Sequence, residues 1–287
     1  MTDRIKGTTK LLGLIGNPVT HSKSPQMHNK SFEVLGLDYV YLAFEVEDGH
    51  IKEALDAMKT LNAAGGNITM PHKTKIMEYL DDISPDAEII GSVNTIKIDE
   101  NKRVTGYNTD GKGFIQALYE NNVDFKGKKI VMAGAGGAAK SIATQLAYDG
   151  AGEIVILNRT FSSAQAIADN INKHIPTCKA RPEAMNEERI VEEMQDAAVL
   201  LNTTSLGMET TIDQAIISSP AQLPKGIFVA DIIYQPEQTK LLKMAEEAHV
   251  RHMNGLMMLI WQWAIAFNIW TGKDMPVDLI KKEIFGK

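Results

Sequence analysis

Short apolar runs and helical spacings alternate along this chain of 287 residues. "LLGLIG" closes on a glycine and predicts a strand, followed after a loop by the helical "SPQMHNKSFEVLG". "YVYLAFEV", rich in β-branched and aromatic residues, predicts a second strand, and "GHIKEALDAMKTLNA" has helical spacing. "GGNITM" predicts a third strand. After it, "HKTKIMEYLDD" places Ile76, Met77 and Leu80 as an amphipathic helix would, with Pro71 at its first position. "VNTIKID" and "RVTGYNT" bracket "ENK" and predict a hairpin at a sheet edge.

A second series opens at Gly127. "GKKIVMAGAGGAAKSIATQLAYDGAGEIVILNRT" runs strand, glycine turn, helix, strand, a βαβ unit that implies a parallel sheet. "SSAQAIADNINKH" predicts the next helix, and "AAVLLNTT" and "IFVADIIY" later strands. The expected class is α/β, built as two α/β lobes. The boundary is expected near Asp110–Lys126, with the chain returning to its first half from about His252. A cleft between two such lobes is a common place for a ligand.

Composition narrows the partners. The hydrophobic fraction of 44% and charged fraction of 23% are those of an ordinary globular protein. A net charge of −6 with no basic block argues against nucleic acid. One cysteine, Cys178, forms no intrachain disulfide and fits a reducing, cytoplasmic setting. The start "MTDRIKGTTK" lacks a signal peptide's apolar core. Gly255–Trp270 is short for a membrane span and carries Gln262 and Asn268, so no membrane association is expected.

The strongest single motif is "VMAGAGGAAKS". Gly134, Gly136 and Gly137 follow an apolar strand and open a helix, the context in which backbone N–H groups receive a pyrophosphate. Ala139 stands where a third glycine is usual and is small enough for close helix–sheet packing. The next strand ends Asn158-Arg159-Thr160, a guanidinium and no carboxylate, which leans toward NADP(H) over NAD(H). An Arg159 paired with a surface carboxylate is the other reading. Ser22 and Ser24 precede a predicted helix. Ser24 suits an N-cap, Ser22 has no evident local task, and two hydroxyls at a helix start also suit a carboxylate.

Lys73 falls in the first turn of the predicted helix, where the dipole would ease loss of its proton. A solvated surface lysine is the plain alternative. Asp110 could cap "GKGFIQALYEN", accept a hydrogen bond from a substrate hydroxyl, or pair with a lysine. Asn94 is a hydroxyl reader or a turn residue. Gln262, in an apolar helix, must bond either to protein or to a ligand, because an unpartnered buried amide costs about 1–3 kcal/mol. The histidines show no metal-ligand spacing, and no covalent-hydrolase motif is present, so no metal is expected.

Taken together, "GNPVTHSKSPQMHN", "GGNITMPHK", "GSVNTI", "GYNTDGKG", "GAGGAAKS", "NRT", "NTTSLGM", "DIIYQPEQTKLL" and "NGLMMLIWQ" resemble the shikimate dehydrogenase family, including its quinate/shikimate branch. The resemblance runs nearly end to end. It implies a substrate-binding catalytic domain (1–110 plus 252–287) and a Rossmann-like NAD(P)-binding domain (111–251). The implied reaction is reversible reduction of 3-dehydroshikimate to shikimate with a nicotinamide cofactor, on the route to aromatic amino acids.

By that resemblance Ser22 and Ser24 hold the substrate carboxylate, and Thr69, Asn94, Asp110, Tyr234 and Gln262 surround the ring. Lys73 transfers the proton with Asp110 as its partner. Gly134, Ala135, Gly136, Gly137 and Ala138 would cradle the pyrophosphate. Asn158, Arg159 and Thr160 would take the adenosine end, and Ile232 and Gly255 the nicotinamide end. NADP-using members often carry a second basic residue where this chain has Ser163, which keeps NAD(H) as the alternative cofactor. "YLAFEVED" and "WTGKDMPVDLIKK" look like the branch that also takes quinate. Rival readings are a methylene-tetrahydrofolate dehydrogenase and a non-catalytic shikimate-binding sensor. The assembly is expected to be a monomer or homodimer.

Overall fold

The structure is a computed structural model that describes residues 5–286; Met1–Arg4 and Lys287, which the expected domain limits include, lie outside the described residues. The chain forms two compact units, Met1–Thr109 with Ile260–Lys287, and Asp110–Leu259.

The first unit begins β1 (Lys10–Gly16), α1 (Ser24–Val34), β2 (Tyr39–Glu45), α2 (Ile51–Thr60) and β3 (Gly65–Ile68). A 3₁₀ helix (Lys75–Tyr79), β4 (Asp82–Ile83), α3 (Pro85–Ile90), β5 (Thr95–Ile98) and β6 (Val104–Tyr107) follow. The sheet runs β2-β1-β3-β5-β6-β4. β2, β1 and β3 are parallel, and β5 and β6 form the expected antiparallel hairpin. The hairpin is not the outermost piece, because the two-residue β4 pairs with β6 and covers that edge. One face packs Ile15, Ile68 and Ile96 on Ile51, Leu55 and Ile76. The other carries aromatic residues: Phe32 and Phe267 stack at 5.2 Å between centroids, and His28 and Tyr41 at 4.5 Å.

The expected helix around Lys73 is corrected. Thr69 and the turn Met70–Thr74 separate β3 from a five-residue 3₁₀ helix, so Pro71 does not open a helix and Lys73 stands before one. The dipole argument for Lys73 therefore lapses. The apolar spacing was real, since Ile76 is fully buried, but it is spent on one short turn against α2.

The second unit comprises α4 (Asp110–Glu120), β7 (Lys129–Ala133), α5 (Gly137–Tyr148), β8 (Glu153–Asn158), α6 (Phe161–His174) and β9 (Lys179–Ala184). It continues with α7 (Glu187–Met194), β10 (Val199–Asn202), β11 (Phe228–Asp231), α8 (Lys240–Glu247) and β12 (His252–Met253). Every strand pair is parallel, in the order β12-β11-β10-β7-β8-β9. Counted from β7, that is the 6-5-4-1-2-3 order of a Rossmann fold, with its switch point between β7 and β10. The expected strands do not include β9, where Pro182 is tolerated because β9 lies on the sheet edge. The chain ends with α9 (Leu256–Thr271) and α10 (Val277–Phe285). Among the described residues no helix is long and apolar enough to cross a membrane.

Candidate active site

In the first unit, register brings the polar residues together. Ile15 lies opposite Ile68, Asn67 opposite Thr95, and Thr95 opposite Tyr107. The chain leaving β3, entering β5 and leaving β6 therefore meets at one end of the sheet. Asn94, 3% exposed, is held there from several sides. Its Nδ2 donates to Thr109 Oγ1 (3.0 Å), while its Oδ1 accepts from the Thr109 N–H (2.9 Å) and the Thr95 hydroxyl (3.0 Å). The Thr109 hydroxyl also lies 3.4 Å from Gln262 Oε1, so the amide of α9 has a protein partner. Behind them Tyr41 donates to Asn67 Oδ1 (2.7 Å), and Asn67 Nδ2 donates to Thr95 Oγ1 (3.0 Å). A chain of amides and hydroxyls so interlocked leaves few rotamers open.

Lys73 is half-buried in its turn, and its carbonyl accepts the Val93 N–H at 2.8 Å, which ties the lysine's backbone to the residue before Asn94. Thr69 donates its N–H to Ile15 O (2.8 Å) and packs on Gly16, where an added Cβ would stand 2.1 Å from Thr69 Cγ2. The serines exchange the roles expected of them. Ser24 is already helical and makes no side-chain cap, whereas Ser22 Oγ accepts the Ser24 N–H at 3.2 Å. Ser22 thus does the local job, and its hydroxyl donates to Ser24 Oγ at 3.1 Å, leaving two adjacent hydroxyls at the helix start.

In the second unit, Asp110 is the first residue of α4 and half-buried. The β7–α5 turn fits a dinucleotide. Gly134 has φ +111°, and a Cβ there would lie 2.4 Å from Thr203 Oγ1, so only glycine serves. A Cβ on Gly136 or Gly137 would meet nothing within 4 Å, and no side chain caps α5. Its first N–H groups therefore face open space in a cradle rimmed by Ala135 and Ala138, at the switch point. Ala139, in the first turn of α5, is fully buried. Lys140, in the same turn, is half-buried, and that desolvation holds its pKa below the usual lysine range. At the end of β8, Asn158 donates to Thr160 O (3.0 Å) and shapes the bend. Arg159 and Thr160 are exposed, and Arg159 makes no ion pair among the described residues.

Ile232 and Gly255 lie against each other: a Cβ on Gly255 would stand 1.9 Å from Ile232 O. Tyr234, two residues on, is 38% exposed. Sequence reasoning missed Thr109, Asn67 and Tyr41, and in the second unit Asn202, Asp231 and Thr239. The legible signals were a threonine inside "NTDG" and a carboxylate ending the apolar strand "FVAD". No cluster of metal-ligating residues occurs among the described residues.

These features define a two-unit α/β protein whose second unit is a Rossmann-type dinucleotide binder. Residues 14–96 match the family "Shikimate dehydrogenase substrate binding domain", 117–233 "Shikimate / quinate 5-dehydrogenase", and 255–285 "Shikimate 5'-dehydrogenase C-terminal domain". A shikimate dehydrogenase (NADP(+)) of Alkaliphilus metalliredigens is 50% identical over 287 residues, 100% of either chain. The crystal structure of shikimate 5-dehydrogenase from Listeria monocytogenes, in complex with shikimate and NAD, is 43% identical with a TM-score of 0.96, over 99% of each chain. A quinate dehydrogenase from Corynebacterium glutamicum in complex with NAD is 30% identical with a TM-score of 0.89, over 97% of this chain and 99% of that one. The chain belongs to the shikimate dehydrogenase family.

Proposed function

We propose that the protein is an oxidoreductase that reversibly reduces 3-dehydroshikimate to shikimate with NADP(H), a step toward aromatic amino acids. The observation that carries this reading is the 50% identity to an NADP(+)-named shikimate dehydrogenase over the whole of both chains. On this reading residues 1–110 with 252–287 make the substrate-binding domain and 111–251 the cofactor-binding domain, a division set apart from the two compact units, which change at Thr109/Asp110 and Leu259/Ile260.

The paired hydroxyls of Ser22 and Ser24 take the substrate carboxylate. Thr69, Asn94, Asp110, Tyr234 and Gln262 read the ring hydroxyls, Asn94 doing so with an amide already oriented by Thr109 and Thr95. The bound dihydronicotinamide supplies the hydride. Lys73 stabilises the oxyanion that develops on the substrate at C3 and gives it a proton, and in the reverse direction its amine takes the hydroxyl proton. Asp110 supports the lysine in that role. The backbone from Gly134 to Ala138 holds the pyrophosphate, Asn158, Arg159 and Thr160 the adenosine end, and Ile232 and Gly255 the nicotinamide end.

The exposed guanidinium of Arg159 favours a 2′-phosphate. A broader reading, with NAD(H) and quinate also accepted, is favoured by the likeness to the quinate dehydrogenase. The test is a steady-state assay of shikimate and quinate, each with NADP+ and NAD+. Turnover of shikimate with NADP+ preferred is the expected result. No turnover in any pairing would sink the dehydrogenase reading, and equal use of NAD+ would sink the cofactor assignment. Arg159→Ala is expected to raise KM for NADP+ at least tenfold with little change for NAD+, as loss of a charge-assisted phosphate contact predicts.

A further inference from the structure

Asp231 ends β11 and is 1% exposed, yet no cation is paired with it among the described residues. A buried carboxylate is costly unless hydrogen-bonded throughout, and here it is. Asp231 lies opposite Asn202 in the β10–β11 register. Its Oδ1 accepts from Asn202 Nδ2 (3.1 Å) and from the Ile233 N–H (3.1 Å), and its Oδ2 accepts from the Thr239 hydroxyl (2.8 Å). Each partner fixes a different loop at the carboxyl ends of the strands. Asn202 Oδ1 receives the Thr204 N–H (3.1 Å) and hydroxyl (2.7 Å), which sets the turn after β10. Thr239 caps α8 through Leu242 N–H. Ile233 returns its carbonyl to the Gly255 N–H (2.9 Å), and Ile232 N–H donates to Asn202 O (3.1 Å).

We infer that Asp231 is a positioning residue that fixes the Ile232–Tyr234 segment against Gly255 and so sets the nicotinamide end of the cofactor. The inference rests on the proposed function, which places Ile232, Tyr234 and Gly255 at that end. The pyrophosphate cradle, built on the β7–α5 turn, contains none of these hydrogen bonds and touches the network's turn only at Thr203, which Ala133 O holds independently through its N–H and its hydroxyl (2.8 Å each). Loss of the carboxylate should therefore be felt by one end of the cofactor only. Burial pushes the Asp231 carboxyl up to about 6, so the fold bears a cost to keep it there.

The experiment compares the parent with Asp231→Asn, and with Thr239→Val and Thr239→Ser, which act on the network from its far side. Calorimetric titration uses two probes, NADP+ and 2′-phospho-ADP-ribose, which lacks the nicotinamide. Asp231→Asn should weaken NADP+ at least fivefold and the truncated probe less than twofold, and should lower kcat for shikimate at least tenfold. Thr239→Val should show the same split more weakly, and Thr239→Ser, which keeps the hydroxyl on Asp231, should bind both probes as the parent does. Equal weakening of both probes, or no change in either, would overturn the inference. Should the variants show that split while the parent oxidises no shikimate, the substrate reading fails and the assignment of Asp231 stands.

Discussion

The two units present polar groups to a ligand in opposite ways. The first does it with side chains: Asn94, Thr109, Thr95, Asn67 and Tyr41 reach one end of the sheet from β2, β3, the start of β5 and the end of β6, and lock one another by hydrogen bonds. The second does it with bare backbone, where Gly136 and Gly137 leave the first N–H groups of α5 uncovered. A ring bearing hydroxyls needs directional acceptors and donors, which only placed side chains give; a pyrophosphate needs several N–H groups at once, which a helix terminus already has. The contrast predicts that the first unit is sensitive to removal of side chains and the second to their addition.

The largest effect expected is at Lys73. Lys73→Ala should lower kcat by about 10²–10⁴, the range for loss of a general acid–base group. Shikimate binding, measured by calorimetry, should change by less than about tenfold, since the ring contacts remain. Turnover within a few-fold of the parent would remove the proton-transfer role.

The units also differ in how their buried titratable groups respond to acid. Burial between Tyr41, Phe267 and Trp270 drives His28 down to about 3, outweighing the opposite influence of Asn67. The unfolded chain then takes up a proton below its ordinary 6.5 while the folded one does not, so stability falls with pH from that point. Asp231 works the other way. Its folded value of about 6 exceeds the ordinary 3.8, so its cost at neutral pH is relieved on acidification. Between pH 7.5 and 5, His28 should remove about 2 kcal/mol and Asp231 return about 1 kcal/mol. Denaturant unfolding at the two pH values checks this. His28→Phe should lose the acid-labile part and Asp231→Asn should lose the offsetting gain. Identical pH dependence in parent and His28→Phe would show that the imidazole is not kept neutral.

What the sequence made legible follows the same division. The strand, glycine turn and helix proposed to cradle the dinucleotide are contiguous, so a local pattern predicts β7, the turn at Gly134, Gly136 and Gly137, and α5. The side-chain site is assembled from Asn67, Asn94 and Thr109, which sheet register brings together and no local spacing reveals. The motif around Lys73 stands out in the sequence but its local fold does not, because apolar spacing over five residues does not separate a 3₁₀ turn from an α-helix. Ser22 and Ser24 both stand out in the sequence, but the structure reverses their local roles, because the helix starts one residue before Pro25. Asp231 is silent in the sequence because "IFVADIIY" reads as a strand, and a carboxylate at its end acquires meaning only with β10 beside it.

The smallest effect, and the sharpest test of the contrast, is at Gly136. Its backbone has φ −83° and ψ −170°, which any residue adopts, and a Cβ there touches no protein atom within 4 Å. Gly136→Ala should therefore leave stability unchanged or raise it by about 0.4–1 kcal/mol through the unfolded chain. The same methyl would stand over the helix terminus where a pyrophosphate oxygen has to approach the N–H groups. NADP+ affinity should drop about tenfold, or about 1.4 kcal/mol, while shikimate affinity stays at the parental value. A variant as stable as the parent that binds NADP+ equally well would show that the open space over α5 is not where the phosphates lie. A loss of cofactor with full stability would establish that this unit keeps its glycine for the ligand and not for the fold, the reverse of Gly134, where the protein itself fills the space.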